Sequence, residues 1–381
     1  RETLFGHADF ELSDTLTGFL EGSYGHVDGD VLQSRYFGAP IPIFNDNPFV
    51  PAAIRALLPA ASATPSPARP TAGAFNLAVL GQRQGLSASE AQTYRITFGL
   101  DGQFNDNWSW DTYYQFADTE RDQSVTNNMV PGSSRVINRP GSGGVNNPDS
   151  KAYWSWATDA VYDPADAALP ASQRKIVCRA LISADPALRS AAAGCAPFNP
   201  FGDGRASTAA LDYVYRTLEE NIKIDQHVAA FNVQGDVAEL WAGTLAMAAG
   251  VEFRRDSTAL VHDDLSNSFA YFQNFGADYS ADQDALETYV EMEVPLLVDM
   301  PFVDALNLNA AARRTEYDIS GFGGFNRSAS SNDIGATTWK IGLLWDVSEW
   351  MRLRVTRSRD IRAPNFNDLF QASASNFTAV T

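Results

Sequence analysis

Two runs of residues on either side of an Asn-Asp-Asn turn constrain the fold more than any other feature of the chain. In residues 93–104, Tyr, Ile, Phe and Leu alternate with Thr, Arg and Asp, and residues 108–119 repeat the alternation with Trp, Tyr and Phe. Because successive side chains of a strand point to opposite faces, this pattern predicts a hairpin with one apolar and one polar face. Strands of about 11–13 residues, at ~3.3 Å per residue and a tilt of about 45°, span an outer membrane, whereas soluble strands average roughly six residues.

The same pattern recurs along the chain and predicts ten strands in five hairpins. The other alternating pairs of runs lie in residues 3–26, 222–254, 286–315 and 338–356, although the facing of 222–234 is ambiguous. Longer connections separate the hairpins at about 27–92, 122–221, 256–284 and 320–335. Short turns on one side and long loops on the other are typical of a transmembrane β-barrel, and a soluble sandwich or propeller does not show this asymmetry. We therefore predict an all-β fold in which residues 1–381 form one partial antiparallel barrel.

Residues 51–70, which are rich in Pro and Ala, lie in the first long connection. They are compatible with an interdomain linker or with a long loop. We prefer a loop, because the strand pattern resumes on the far side.

Composition excludes several classes of function. A formal net charge of −18 repels phosphate backbones, so nucleic acid is not an expected partner. The four histidines show no ligand spacing, and no apolar run is long enough for a transmembrane helix. No nucleophile elbow or phosphate loop is present, so we predict no catalytic, metal or cofactor site. The chain begins at Arg1 without a signal peptide and is expected to be a processed chain or a piece of a longer one.

Cys178 and Cys195 are the only cysteines and flank one short segment of the second long connection. We expect them to form a disulfide if the compartment is oxidising, and two free thiols are the alternative. A bridge there closes roughly 17 residues and contributes about 3 kcal/mol in the chain-entropy estimate.

Near the C-terminal end, the stretch Ser358-Arg359-Asp360-Ile361-Arg362-Ala363-Pro364-Asn365, followed by Leu369-Phe370, resembles a signature of TonB-dependent outer-membrane receptors. Three further segments resemble the same family: Pro295-Leu296-Leu297 through Ala311-Ala312-Arg313, Ala249-Gly250-Val251-Glu252-Phe253-Arg254, and Cys195 through Phe198-Asn199-Pro200-Phe201-Gly202. The variant is similar to receptors of alphaproteobacteria.

The resemblance implies a bacterial outer-membrane barrel of twenty-two strands whose lumen holds a plug domain. The plug and its TonB-contacting box are not visible here, so the chain is expected to be a middle portion of the barrel. It implies active import of a scarce ligand (a ferric siderophore, cobalamin or a carbohydrate), energised through TonB, by a protein that is not an enzyme. The lipid bilayer and lipopolysaccharide are further expected partners. A passive porin-like barrel and a structural subunit of an outer-membrane complex are the alternatives.

Charged residues on the polar strand faces are the predicted lumen-facing set, which either contacts the plug or forms a solvated pore wall. They are Glu287, Glu291, Glu293, Arg313, Lys340, Asp346, Arg352 and Arg354. The signature residues Arg359, Asp360, Arg362, Pro364 and Asn365 are expected at the extracellular rim. There they pair across strands or with the plug, or act as a structural staple, and Pro364 ends the strand ladder.

Loop aromatic residues are the predicted ligand contacts: Trp154, Trp156, Tyr271 and Phe272. An aromatic cluster that packs the loop is the preferred alternative for the two tryptophans. The acidic residues Asp263, Asp264, Asp278 and Asp282 either bind calcium or form a solvated acidic loop, and the latter is preferred.

Overall fold

Ten long strands form one antiparallel sheet in the computed structural model, which describes residues 1–36, 41–57, 74–77, 81–133, 144–323 and 328–371. The strands are β1 (Glu2–Ser13), β2 (Leu16–Leu32), β5 (Leu86–Asn105), β6 (Trp108–Met129), β9 (Tyr215–Leu240), β10 (Gly243–His262), β11 (Tyr279–Met300), β12 (Val303–Gly323), β13 (Ser328–Ser348) and β14 (Met351–Arg359). Each pairs with its neighbours in this order, and β1 and β14 are at the edges. The predicted fold class is confirmed.

Short elements fill the long connections. Two small antiparallel pairs join β3 (Ile41–Phe44) to β4 (Ala74–Leu77) and β7 (Ala160–Tyr162) to β8 (Ile176–Cys178). Within the described residues the α-helices are α1 (Ala52–Arg55), α2 (Tyr153–Thr158), α3 (Pro186–Ala191), α4 (Thr208–Val214), α5 (Asp264–Asn267) and α6 (Phe366–Phe370). In the same part of the chain, 3-10 helices lie at Gly144–Asn146, Pro148–Ser150, Pro164–Asp166, Ala171–Gln173 and Arg179–Ile182. Among the described residues, no helix has the length and apolar character needed to cross a membrane.

The strands extend well beyond the predicted bounds, so the loop limits are corrected. β2 and β5 continue into the predicted loop 27–92, and β6 and β9 continue into 122–221. β10 and β11 leave only residues 263–278 between them, and β12 and β13 leave only 324–327, which lie outside the described residues. The sequence pattern underestimates the strand lengths because both faces of each strand become polar towards the long loops. The alternation of apolar and polar residues therefore ends before the backbone pairing between strands ends. Most of the Pro/Ala stretch also lies outside the described residues.

The sheet has two faces of opposite character. The apolar face carries exposed aromatic and aliphatic side chains, such as Ile96, Phe98, Val290, Ile341 and Leu343. Because directly paired residues share a face, the register makes this surface continuous from β1 to β14. A soluble monomer rarely exposes so large an apolar surface, whereas a barrel turns it towards lipid. The opposite face is polar and carries charged side chains such as Glu291, Arg313 and Lys340.

The largest hydrophobic core lies in the connections and not between the faces of the sheet. We call the described parts of residues 33–57, 130–214 and 263–278 the loop cluster. Its core packs Trp154 against Phe198 with ring centroids 4.8 Å apart, beside Met129, Val214 and the cysteines. The predicted disulfide partners are joined in the structure, with Cys178 fully buried.

Polar contacts tie the three segments of the loop cluster together. The Arg179 guanidinium donates to both oxygens of Asp46 at 2.8 and 2.7 Å, and its Nε lies 3.1 Å from Asp159 Oδ1. The Gly132 backbone N–H donates to the Ala270 carbonyl at 3.1 Å, and the Tyr36 hydroxyl donates to Gln273 Oε1 at 3.1 Å. Since these partners come from different loops, the cluster folds as one unit above the strand ends.

Candidate functional site

All eight predicted lumen-facing residues lie on the polar face of β11–β14. Glu287, Glu291 and Glu293 share a face because they are separated by even numbers of residues along β11. The register then places Ala311 opposite Glu291, Lys340 opposite Ala311, and Arg352 opposite Asp346. Single-strand alternation was sufficient to find this set, because the side-chain period of two is a property of the extended backbone.

The sheet register pairs some of these charges within the wall. The Arg313 guanidinium donates to Glu287 at 2.9 Å, and Arg352 Nη2 donates to Asp346 Oδ2 at 3.1 Å. Each pair thereby reduces the desolvation cost that either charge would meet if another protein segment covered the wall.

The other four predicted residues, Glu291, Glu293, Lys340 and Arg354, make no ion pair with a residue that the structure describes. Glu293, Lys340 and Arg354 line one shallow depression of about 210 Å³ on the polar face. These groups therefore lie on the polar face without an ion-pair partner among the described residues.

A hydrogen-bonded row in the middle of the polar face was missed by sequence reasoning. Asn232 on β9 donates to Asp111 Oδ2 at 2.7 Å, and the Tyr289 hydroxyl donates to Asn232 Oδ1 at 2.8 Å. Gly250 lies between β9 and β11, and a Cβ there would collide with the Asn232 oxygen and the Tyr289 ring. The missing signal was the register of β9, whose facing is ambiguous in the sequence.

At the loop end of the same face, a buried charged group joins three strands. His262 Nε2 lies 3.1 Å from Glu220 Oε2, and Arg121 donates to Glu220 Oε1 at 2.9 Å. The Asp278 carboxylate accepts the His262 backbone N–H at 2.7 Å and binds Asn267 at 2.9 Å. This group anchors the base of the 263–278 connection to the strands.

The signature stretch begins at the end of β14, and its predicted place at the extracellular rim stays a prediction. β14 ends at Arg359 opposite Trp339, partway along β13, so the ladder ends five residues before Pro364. Arg362 pairs with Asp368 at 2.7 Å, and therefore its predicted pairing across strands is wrong. Asp360 accepts a hydrogen bond from Ser358 at 2.9 Å.

Asn365 instead begins the short helix α6 with a capping box, in which its side chain accepts from the Asp368 backbone N–H at 2.8 Å. The helix packs onto the polar face, where Phe370 is buried against Gly321 and Gly323. The Tyr279 hydroxyl donates to Asn367 at 2.5 Å. The stretch therefore folds onto the polar face, because Phe370 fits into the space beside Gly321 and Gly323, which have no side chains.

The predicted ligand aromatics are mostly interior residues. Trp154 and Trp156 are 2% and 3% exposed, and Trp156 Nε1 donates to the Val145 carbonyl at 2.7 Å. Tyr271 is also buried, and its hydroxyl donates to the Thr217 carbonyl at 2.6 Å. These three residues pack the loop cluster and cannot contact an external ligand in this conformation, which corrects the prediction. Phe272 is half-buried and packs on Tyr36.

Burial also shifts the ionisation of the loop-cluster side chains. It raises the pKa of Tyr271 and Tyr213, and, with Tyr215 nearby, raises the pKa of Tyr36 to about 12. Burial opposes the charge of Arg179, but Asp159 and Asp46 outweigh it and raise the pKa of the guanidinium. The phenols therefore stay neutral and the arginine stays charged at physiological pH.

The acidic residues considered for calcium have structural partners. Asp263 accepts the backbone N–H groups of Leu265 and Ser266 at the start of α5. Asp264 lies in the first turn of that helix, Asp278 holds Asn267, and Asp282 accepts from Ser257 at 2.6 Å. Among the described residues, no group of three acidic, His or Cys side chains could hold a metal ion.

Comparison with known proteins identifies the family. The family model described as "TonB dependent receptor-like, beta-barrel" matches residues 25–381. The chain belongs to the TonB-dependent receptors. Proteins of this family are outer-membrane transporters and not enzymes, so the predicted outer-membrane location is confirmed.

Solved receptors resemble the fold at low sequence identity. The ferric preacinetobactin receptor BauA from Acinetobacter baumannii has a TM-score of 0.44 and 8% identity, with 91% of this chain and 37% of that chain covered. The closed form of the ferric-catecholate import receptor Fiu from E. coli has a TM-score of 0.42 and 14% identity, with 93% and 42% covered. The siderophore receptor PiuA from Acinetobacter baumannii has a TM-score of 0.39 and 12% identity, with 91% and 40% covered. The chain thus spans less than half of these receptors. No curated protein matches the sequence.

Proposed function

We propose that this chain forms part of the wall of an active importer, which takes up a scarce ligand across the outer membrane with energy delivered through TonB. Membership of the receptor family carries the proposal. The two-faced sheet supports it, because one face suits lipid and the other suits a polar, filled lumen. The cargo is a ferric siderophore, cobalamin or a carbohydrate. The alphaproteobacterial type stays a prediction.

The polar face of β11–β14 would hold the plug domain that the family uses to block the lumen. Charges buried by a plug are costly unless they are paired. Glu291, Glu293, Lys340 and Arg354 are the members of the predicted set that lack an ion pair within the described wall, so they are the ones that plug side chains would satisfy. Asp346–Arg352 and Glu287–Arg313 are already paired and would depend on the plug less.

The proposal is tested by uptake of radiolabelled ligands into cells that express the receptor. A ferric siderophore, cobalamin and an oligosaccharide are supplied separately, each with and without TonB and with and without a protonophore. We expect one class to accumulate only in energised cells that contain TonB. Accumulation that is independent of TonB would favour the porin-like alternative. If none of the three ligands accumulates, the structural-subunit alternative would be favoured.

Plug contact is tested by a matched pair of double variants in the same receptor. Lys340→Ala with Arg354→Ala should loosen the plug and admit large antibiotics that the outer membrane normally excludes. Asp346→Ala with Arg352→Ala should have a smaller effect, because this change removes a complete ion pair of the wall and leaves no unpaired charge beneath the plug. Equal antibiotic sensitivity of both double variants and wild type would refute plug contact.

A further inference from the structure

The imidazole ring of His262 lies between two carboxylates at the base of the 263–278 connection. Its Nε2 is 3.1 Å from Glu220 Oε2 on β9, and its Nδ1 is 3.5 Å from Oδ1 of Asp278, the residue directly before β11. The side chain of His262 is 0% exposed and that of Glu220 is 6% exposed. Because solvent does not contact the ring, a charge on His262 has to be balanced by groups of the protein.

Both ring nitrogens face carboxylate oxygens, and only the charged ring carries a proton for each. A neutral imidazole has one N–H and one lone pair, whereas an imidazolium has two N–H groups. When Nε2 donates to Glu220, the lone pair of a neutral Nδ1 faces the Asp278 carboxylate, and Nδ1 forms no hydrogen bond with the described residues. A second proton on the ring replaces this repulsion by an attraction between opposite charges.

The other ionisable groups around the ring contribute one cation. Arg121 on β6 donates to Glu220 Oε1 at 2.9 Å. Tyr279, the first residue of β11, lies close to Glu220 and Arg121, and a phenol is neutral at physiological pH. With a neutral His262, the described part of this group contains one arginine and the two carboxylates of Glu220 and Asp278. A charged His262 makes the numbers of cations and anions equal, which lowers the cost of burying them.

The same group joins both ends of the connection to the strands. At one end, Asp263 accepts the Glu219 backbone N–H at 3.0 Å, and at the other end Asp278 accepts the His262 backbone N–H at 2.7 Å. Between the two ends, the Ala270 carbonyl accepts a hydrogen bond from another segment of the loop cluster. A change of charge on His262 therefore acts at the hinge that carries this part of the loop cluster.

We propose that His262, Glu220 and Asp278 form a pH-sensitive clamp, which holds the 263–278 connection to the strands while His262 is charged and loosens it when the ring loses its proton. Histidine ordinarily changes its charge between about pH 5 and 8. The connection is held firmly at the acidic end of this range and is released as the pH rises, because the attractive contact belongs to the protonated ring. The clamp goes beyond the proposed function and does not depend on which ligand is imported.

Hydrogen exchange of the receptor in detergent micelles, measured between about pH 5.5 and 8, tests the clamp. Protection factors are compared, because they divide out the intrinsic pH dependence of amide exchange. The informative amide is Ala270, which donates to the Leu265 carbonyl at 2.9 Å inside the connection. The reference amide is Phe198, which donates to the Ala157 carbonyl at 2.8 Å elsewhere in the loop cluster. The Ala270 protection factor should fall roughly tenfold from the lower to the higher pH, and that of Phe198 should stay constant.

Two variants distinguish the clamp from a contact that is only structural. His262→Gln keeps a donor for Glu220 but cannot become charged, so its Ala270 protection factor should not change with pH. Asp278→Asn keeps a side-chain oxygen for the His262 backbone N–H but removes the negative charge that faces Nδ1, and it should flatten the pH profile as well. His26→Gln is the matched control, because His26 lies 3.3 Å from Glu90 on β2, which three strands separate from β10. This control should keep the wild-type profile.

The proposal is overturned if the wild-type Ala270 protection factor is independent of pH, or if His262→Gln keeps the wild-type pH profile. Loss of the profile in His26→Gln, or an equal fall at Phe198, overturns it too, because the response then arises elsewhere or in the whole loop cluster. Should His262→Gln fail to fold, the profile of Asp278→Asn decides in the same way. The readout is amide exchange, so a failure of ligand uptake would count against the proposed function and leave the clamp unaffected.

Discussion

Breaking the disulfide between Cys178 and Cys195 should open the loop cluster and leave the sheet intact. The bridge links residues separated by 17 positions, and a closed loop of that length stabilises the folded state by about 3 kcal/mol at 25 °C. Because a tenfold change in an equilibrium corresponds to about 1.4 kcal/mol, the opened form of the loop cluster should become roughly 150-fold more populated.

Hydrogen exchange of the intact receptor in detergent micelles measures this change. The informative amides are Arg179, bonded to the Asp159 carbonyl at 2.9 Å, and Phe198, bonded to the Ala157 carbonyl at 2.8 Å. Reduction of the wild-type bridge removes the cross-link but keeps both sulfur atoms. The double Cys→Ala variant also removes buried sulfur, at a further cost of ~1 kcal/mol, and should exchange faster still.

The strand amides of β11 and β12 provide the internal reference, because their hydrogen bonds lie in the long sheet. Two results would refute the reasoning. One is a rise in the exchange rate of less than about tenfold at both the Arg179 and Phe198 amides, which would mean that the core of the loop cluster stays folded without the cross-link. The other is an equal increase in β11 and β12, which would mean that the loop cluster and the sheet unfold together.

Three further changes test the same structure. Arg179→Ala should destabilise the loop cluster by about 2 kcal/mol, because it removes the charge-assisted hydrogen bonds from Arg179 to Asp46 and Asp159, and Arg179→Lys should recover part of this in thermal unfolding. Tyr36 has a raised pKa of about 12, whereas an unfolded tyrosine loses its proton near pH 10. The stabilisation of the loop cluster by the neutral Tyr36 phenol is therefore complete below about pH 10 and is lost as the pH rises to about 12. Hydrogen exchange of the loop cluster should detect this pH dependence, and Tyr36→Phe should reduce it. Gly250→Ala should lower the free energy of unfolding by roughly 1–3 kcal/mol, because the added methyl group displaces Asn232 and Tyr289. Ala249→Gly, on the opposite face, is the comparison. Equal melting temperatures of the Gly250→Ala variant and wild type would show that the hydrogen-bonded row of Asn232 and Tyr289 adjusts freely.

Sequence reasoning succeeded where a property follows from local geometry. Alternation with a period of two separated Glu287, Glu291 and Glu293 from the apolar side chains of β11, and the structure keeps that separation. It failed at the loop-side ends of the strands, where polar side chains on both faces conceal a ladder that β9 continues to Tyr215. A strand without an apolar face gives no periodic signal, although its backbone hydrogen bonds are formed in the same way.

Residue type alone also misassigned the aromatic residues of the loops. A Trp in a long polar loop has the same sequence signature whether it faces a ligand or packs a core. Trp154 packs on Phe198 in a core that also contains Met129, Cys178 and Val214, which are distant from Trp154 in the sequence. Likewise, Arg362 could have paired with many acids, and the turn before α6 selected Asp368.

The sequence by itself determined the two faces of the wall, the hairpin order and the family, since each depends on neighbouring residues in one extended chain. Only the tertiary structure decided which charges are paired, which aromatic residues are buried, and that the signature stretch turns onto the polar face. Those outcomes depend on contacts between distant positions, such as Arg179 with Asp46 and Asn128 with Gln273, which are 133 and 145 residues apart. Side-chain alternation is set by the backbone of each strand, whereas the partner of a charge is set by the register between strands.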